Sequence, residues 1–328
     1  MIIYPTLELM NGKCVSLTRG RLDEPVIWHV DPVDTARSFA AAGASWMHIT
    51  DIDALRGEGD NDALIEEIIR AAGIPVQLGG GFRSRERVAQ WIDRGAGRIV
   101  IGTMASHDPD LLRELAKFHP DQIVLAVDIF DGSVMTEGWK TRSAFQPDTF
   151  VQAFDDAPLA GIIVTDVDAD IEDSDGSLGV ISSLAAQTRH PVIARGTVRS
   201  ADDVARLKYV PNIAGTLIGR ALLSKDVDLA DAVAFAQAET EPTAEFQKTP
   251  LRTCRRKSVN GGCHMQGRSC PSWSSRVMSS REEIRKGQQH ASSGCYRAGF
   301  GHTVGRWRQR NVDTSSGWPV GGGHDYPV

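Results

Sequence analysis

Eight apolar, β-branched runs alternate with stretches of helical period across the first 240 or so residues, and this alternation limits the fold more than any other feature. The runs span residues 2–9, 46–52, 75–78, 98–102, 123–128, 161–166, 191–194 and 215–219. Helical spacing of apolar side chains falls at 32–42, 62–72, 85–94, 108–118, 148–153, 178–188, 201–207 and 229–236. Short apolar runs joined by helices read as parallel strands with crossover connections. Eight such units are the count of a closed (β/α)8 barrel. An open doubly wound sheet would have fewer strands and a Gly-rich first turn. Here the first run ends in Glu8-Leu9-Met10-Asn11-Gly12-Lys13 instead.

The barrel carries an internal repeat. Gly80-Gly81-Phe82-Arg83-Ser84, followed by Val88-Ala89, matches Gly196-Thr197-Val198-Arg199-Ser200, followed by Val204-Ala205, at an offset of 116 residues. Val100-Ile101-Gly102 then matches Leu217-Ile218-Gly219 at an offset of 117. Two matches in the same order point to two similar half-barrels. The expected class is therefore α/β, a TIM barrel of two half-barrels over residues 1–240, with an irregular tail over 241–328.

Periodicity stops after Glu239. The last 80 residues, from Thr249, hold 13 Lys+Arg and 4 Asp+Glu, a net +9. The 248 residues before them hold 23 and 38, a net −15. A basic segment rich in Ser, Gly and Cys, without periodic apolar positions, lacks the means to bury a core. Its scattered Trp and Cys resemble translation of a shifted reading frame. Four cysteines lie there (Cys254, Cys263, Cys270 and Cys295), but with His264 their spacing fits no zinc pattern. Only Cys14 lies in the body, which suits a reducing compartment. No run of 18 apolar residues occurs, and the start lacks a basic leader and cleavage site. The expectation is a cytoplasmic monomer with no nucleic-acid or membrane partner, no metal and no cofactor. The acidic stretch from Asp166 to Ser177 departs from a calcium-loop pattern and reads as a solvated loop.

Gln77-Leu78-Gly79-Gly80-Gly81-Phe82-Arg83-Ser84 sits where a strand gives way to a helix. Glycines there let backbone N–H groups approach a phosphate at a helix N-terminus, although a tight turn would also require them. Gly102-Thr103 ends the next strand with a small-residue turn, and together these would hold one phosphate through Gly80, Gly81, Gly102 and Thr103. The repeat predicts a second phosphate site at Gly196, Gly219 and Arg220. At that site Arg195 either aids the anion by charge or fills the pocket. Two carboxylates, Glu8 and Asp128, end strands 1 and 5, on opposite sides of an eight-membered ring. Carboxylates at the C-terminal ends of barrel strands face the mouth, where an acid and a base can shuttle protons. Asp51, Thr165 and Asp166 also end strands and could orient substrate or fix loops.

Residues 1 to about 240 resemble the histidine-biosynthetic phosphoribosyl isomerase acting on the formimino-aminoimidazole carboxamide ribotide, sister of the cyclase subunit of imidazole glycerol phosphate synthase. The resemblance runs through Asn11-Gly12-Lys13, Asp51-Ile52-Asp53-Ala54, Asn61, the 77–84 segment, Ile101-Gly102-Thr103, Ala126-Val127-Asp128, Thr165-Asp166 and Ile218-Gly219-Arg220-Ala221-Leu222. Gly138-Trp139 favours the isomerase over the cyclase. The resemblance implies an Amadori rearrangement of an aminoaldose to an aminoketose on a small substrate with a phosphate at each end. Asp128 would be the general acid at the ring oxygen and Glu8 the base at C2. Asp51, Thr165, Asp166 and Arg19 would contact substrate. Departures from the family pattern cluster at the mouth: Glu8 for Asp, Ser16 for Arg, and Arg195-Gly196-Thr197 where paired glycines are expected. The alternative reading is a diverged barrel that binds a phosphorylated metabolite without isomerising it.

Overall fold

The computed structural model describes residues 1–167 and 174–238. The tail, and half of the acidic stretch considered for calcium, lie outside the described residues. With strands numbered in chain order, the ring consists of β1 (Ile2–Met10), β4 (Met47–Asp51), β5 (Val76–Gly79), β6 (Arg98–Ile101), β7 (Ile123–Phe130), β10 (Gly161–Asp166), β11 (Val192–Arg195) and β12 (Ile213–Ile218). They pair in that order and every ring pair is parallel. β7 pairs with β10 and β12 with β1, so the sheet closes on itself as the alternation implied.

Helices cover the outside. The longer ones are α1 (Pro32–Ala41), α3 (Asp62–Ala72), α4 (Arg85–Asp93), α6 (Pro109–Phe118), α7 (Pro147–Gln152), α8 (Ser174–Ala185), α9 (Ala201–Lys208) and α11 (Leu229–Gln237). Three short ones open directly from ring strands: α2 (Ile52–Arg56), α5 (Thr103–His107) and α10 (Arg220–Leu223). Their starts are written in the sequence where capping is strong. Asp31 caps α1 and Asp108 caps α6, each ahead of a proline at the first helical position.

Strand alternation sorts the side chains into two cores. Odd positions of β1 and β7, such as Leu7, Leu9, Leu125 and Val127, are fully buried beneath the helices, each contributing about 1.5–3 kcal/mol. The opposite parity fills the lumen, where Tyr4 of β1 and Val124 of β7 join Val100, Ile163, Ile193 and Leu217 of the other strands in a separate cluster. Gly215 is glycine because a Cβ there would lie 2.7 Å from the Tyr4 ring.

The strand reading missed two hairpin extensions. β2 (Lys13–Ser16) folds back on β1 and pairs with β3 (Val26–Trp28), while β8 (Ser133–Thr136) folds back on β7 and pairs with β9 (Thr141–Arg142). Their turns are Asn11-Gly12 and Asp131-Gly132, with all four residues left-handed at φ 51°, 72°, 47° and 68°. The registers are equivalent: Glu8 pairs with Val15 and Asp128 with Met135, seven residues on in each case. Among the described residues, no helix is long and apolar enough to cross a membrane.

Candidate active site

Alternation also decides which strand-end residues face the mouth. Glu8 follows Tyr4 and Thr6 on the lumen side of β1, and Asp128 follows Val124 and Ala126 on β7. Four strand steps separate β1 from β7 in either direction round the ring, so the two carboxylates stand diametrically opposed. Among the described residues, each is held by one N–H donor. The Trp139 indole Nε1 donates to Asp128 Oδ2 at 2.9 Å, and an Arg195 guanidinium nitrogen, Nη2, donates to Glu8 Oε1.

Trp139 and Arg195 lie between two cavities and line both of them. The first cavity holds Glu8, Arg19, Thr165, Asp166, Gly196, Gly219 and Arg220. The second holds Gly80, Gly81, Gly102, Thr103 and Asp128. The two groups of expected phosphate ligands thus gather on opposite sides of the mouth, one beside each carboxylate. Gly102 and Gly219 precede α5 and α10 with nearly the same backbone, φ −114°, ψ −79° and φ −111°, ψ −83°. The repeat therefore holds at the level of dihedral angles. It breaks at the next pair: Gly80 and Gly196 are both left-handed, as is Gly81, whereas Thr197 is not.

Two expectations change here. Asp51 lines neither cavity. Alternation turns it away from the lumen, where Thr50 points instead, and its carboxylate accepts from Ala54 N, Asn61 N and Asn61 Nδ2 at 3.2, 2.9 and 2.7 Å. Burial holds its pKa above the ordinary carboxylate value despite those bonds. Asp51 fixes the loop ahead of α3 and is not placed to contact substrate. The glycines at 80 and 81 also have a packing reason. A Cβ on Gly80 would lie 2.2 Å from Asp51 O, and one on Gly81 2.7 Å from Ala54 O. Close approach of the two loops alone requires glycine at both positions.

The remaining candidates line one or other of the two cavities. Thr165 is buried, its hydroxyl oxygen has no hydrogen-bond partner among the described residues, and it lines the first cavity. Asp166 accepts from Ser177 Oγ at 3.2 Å. Arg220 Nη2 donates to Thr18 Oγ1 at 2.7 Å and to Leu17 O at 3.2 Å, which ties the α10 start to the loop after β2. Thr103 Oγ1 accepts from Glu137 N at 2.9 Å, anchoring the left-handed run Glu137-Gly138-Trp139 over the second cavity.

Sequence reasoning overlooked His48. It lies in β4, shares the lumen parity of Trp46 just before that strand, is 1% exposed, and lines the second cavity. Gln77 Nε2 donates to its Nδ1 at 3.2 Å, and its Nε2 lies 2.9 Å from Thr50 Oγ1. Burial, with Arg195 nearby, holds its pKa well below the ordinary 6.5, so the ring is neutral. The signal lay in the alternation Trp46-Met47-His48-Ile49-Thr50, which gives His48 the same parity as Thr50.

Residues 2–228 match the family model described as "Histidine biosynthesis protein". The chain belongs to the histidine-biosynthesis isomerase family. It is 60% identical over 247 residues to the 1-(5-phosphoribosyl)-5-((5-phosphoribosylamino)methylideneamino)imidazole-4-carboxamide isomerase 2 of Ruegeria pomeroyi, covering 75% of this chain and all of that one. A relative named as isomerase 1 of the same reaction, from Ruegeria sp., is 59% identical over 246 residues, again 75% of this chain and all of the relative. The isomerase of Caulobacter sp. is 39% identical over 241 residues, 73% of this chain and all of the relative. An isomerase accounts for two opposed carboxylates in one mouth better than a binding barrel does, since proton shuttling can use two such groups and binding alone does not need them.

Proposed function

We propose that the chain is a phosphoribosyl isomerase acting on a phosphoribosylamino-methylideneamino imidazole carboxamide ribotide, with Asp128 and Glu8 as its acid and base. The observation that carries this reading is the opposition of Glu8 and Asp128 between two cavities that each hold one copy of a duplicated strand-to-helix turn. A substrate with a phosphate at each end would seat one phosphate at Gly102-Thr103, beside Gly80-Gly81, and the other at Gly196 and Gly219-Arg220. Its reacting aminoaldose ring would then lie between the carboxylates. Asp128 gives a proton to the ring oxygen as the C1–O bond breaks. Glu8 takes the proton from C2, and the resulting enolamine becomes the aminoketose when C1 is protonated and the C2 hydroxyl proton is lost. Arg19, Thr165 and Asp166 would orient the sugar. In this reading the barrel, residues 1–240, is the whole catalytic unit. It works as a cytoplasmic monomer without a cofactor, and the 241–328 segment takes no part.

The test is turnover of the ribotide by the purified protein and by Asp128→Asn. A proton donor acts mainly in the transition state, so the variant should lose kcat by 10² or more while keeping its affinity for substrate. Turnover that survives Asp128→Asn refutes the assignment.

A further inference from the structure

We infer that Arg195 is the positioning residue of the base: it sets where the Glu8 carboxylate stands and so determines the reach of that group to the substrate. The inference rests on the isomerase reading above.

Arg195 is the last residue of β11 and shares the lumen parity of Ile193. Its guanidinium meets Glu8 on β1, two strands away round the ring. The strand between them, β12, places Leu217 in the lumen below. Its next position of that parity is Gly219, which has no side chain to block the crossing. The pair is well shielded from water, with the two side chains 18% and 16% exposed. A charge-assisted bond there is stronger than at the surface.

Glu8 needs such a partner. A glutamate has one more torsion than an aspartate, so its carboxylate sweeps a wider volume unless something pins it. A displacement of about 1 Å in a reacting group can cost about 10² in rate. The geometry across the mouth is the counterpart: Asp128, on the shorter side chain, is held by the Trp139 indole at 2.9 Å. Both holders stand on the boundary between the cavities, which is where a reacting ring bound at both ends would lie. Glu8 Oε1 is bound to the guanidinium, so Oε2 is the oxygen left to take the C2 proton.

The test is a double-mutant cycle on the full chain, with steady-state rates for Arg195→Gln, Arg195→Lys, Glu8→Asp and Glu8→Asp/Arg195→Gln. Melting temperatures for each variant confirm that it folds. Arg195→Gln should lower kcat tenfold or more and move KM less than threefold. Arg195→Lys should recover part of that loss, because an ammonium retains one charged bond but not the planar fork. Glu8→Asp should also lose tenfold or more, since the shorter side chain withdraws from the guanidinium. Because each change breaks the same pair, the double variant should be no slower than the slower single variant, a coupling of about tenfold. Losses that multiply in the double variant, or a change in KM without one in kcat, overturn the inference while leaving the isomerase reading intact. A wild type without turnover overturns both.

Discussion

The glycines of the strand-to-helix turns fall into two kinds, and one pair of substitutions separates them. Gly80→Ala puts a Cβ 2.2 Å from Asp51 O and 2.9 Å from Asp51 N, on a residue whose φ is +104°. Neither side can give way cheaply, because Asp51 is fixed to Asn61 by bonds of 2.9 and 2.7 Å. Left-handed backbone costs an alanine about 1–2 kcal/mol, and forced overpacking adds about 1–3. For a domain of this size each kcal/mol moves Tm by about 2–4 °C, so the drop should be roughly 4–20 °C. Gly102→Ala is different. Its φ is −114°, and its nearest neighbour would be Ala126 Cβ at 3.5 Å, an ordinary contact. Its Tm should stay within about 2 °C of wild type. The added methyl, however, enters the second cavity, where the proposed phosphate would sit. Melting in rising inorganic phosphate reads both effects, since a ligand at 100 times its Kd stabilises by about 2.7 kcal/mol. Gly102→Ala should lose at least half of the protection seen in wild type. Full protection in Gly102→Ala would show that no anion sits at this turn. An unshifted Tm in Gly80→Ala would refute the packing account of the glycine pair.

The buried His48 gives a pH prediction. Its folded pKa lies well below 6.5, so below pH 6.5 the unfolded chain takes up a proton that the folded chain refuses. Stability is therefore fully present above that pH and falls as pH drops below it, by up to about 1.4 kcal/mol per unit from this residue. Urea unfolding between pH 7 and 5 should show a steeper loss in wild type than in His48→Gln, and equal slopes would contradict it. A second expectation concerns the tail: protein ending at residue 247 should melt at the full chain's temperature, and a clear drop would show that the segment packs on the barrel.

What could be read from the sequence follows from the physics of each element. Ring strands were legible because both faces are buried and the residues are β-branched, as in Ile162, Ile163 and Val164 of β10. The short helices α2, α5 and α10 were not, because four or five residues hold no repeat of the 3.6 period. The hairpins β1–β2 and β7–β8 were legible in principle: Asn11-Gly12 and Asp131-Gly132 are standard two-residue turn pairs. Reading them requires looking for strands beyond the ring's eight. Asp51 was misassigned because its position at a strand end was noted and its parity was not. Counting from Tyr4 or Trp46 tells which strand-end residues face the lumen. Arg195 was visible as an oddity, but its partnership with Glu8 joins positions 187 apart, and no local pattern encodes that.

The duplicated half-barrel explains why the two carboxylates, the proposed acid and base, come to stand opposite each other. Glu8 and Asp128 each lie three residues before a left-handed turn pair and seven before their hairpin partners. Repetition of one unit round a closed ring places equivalent residues half a turn apart, so opposition of the two carboxylates follows from the duplication itself. Symmetry alone would give two equal carboxylates, and an acid and a base must differ. The difference enters through their holders. Trp139 holds Asp128 through a neutral indole N–H. Arg195 holds Glu8 through a charged guanidinium. The halves also part at Gly81 and Thr197. The first is forced to be glycine by Ala54, and the second, free of the left-handed backbone, carries a buried side chain. Divergence has thus changed what surrounds each carboxylate and left the scaffold that opposes them in place.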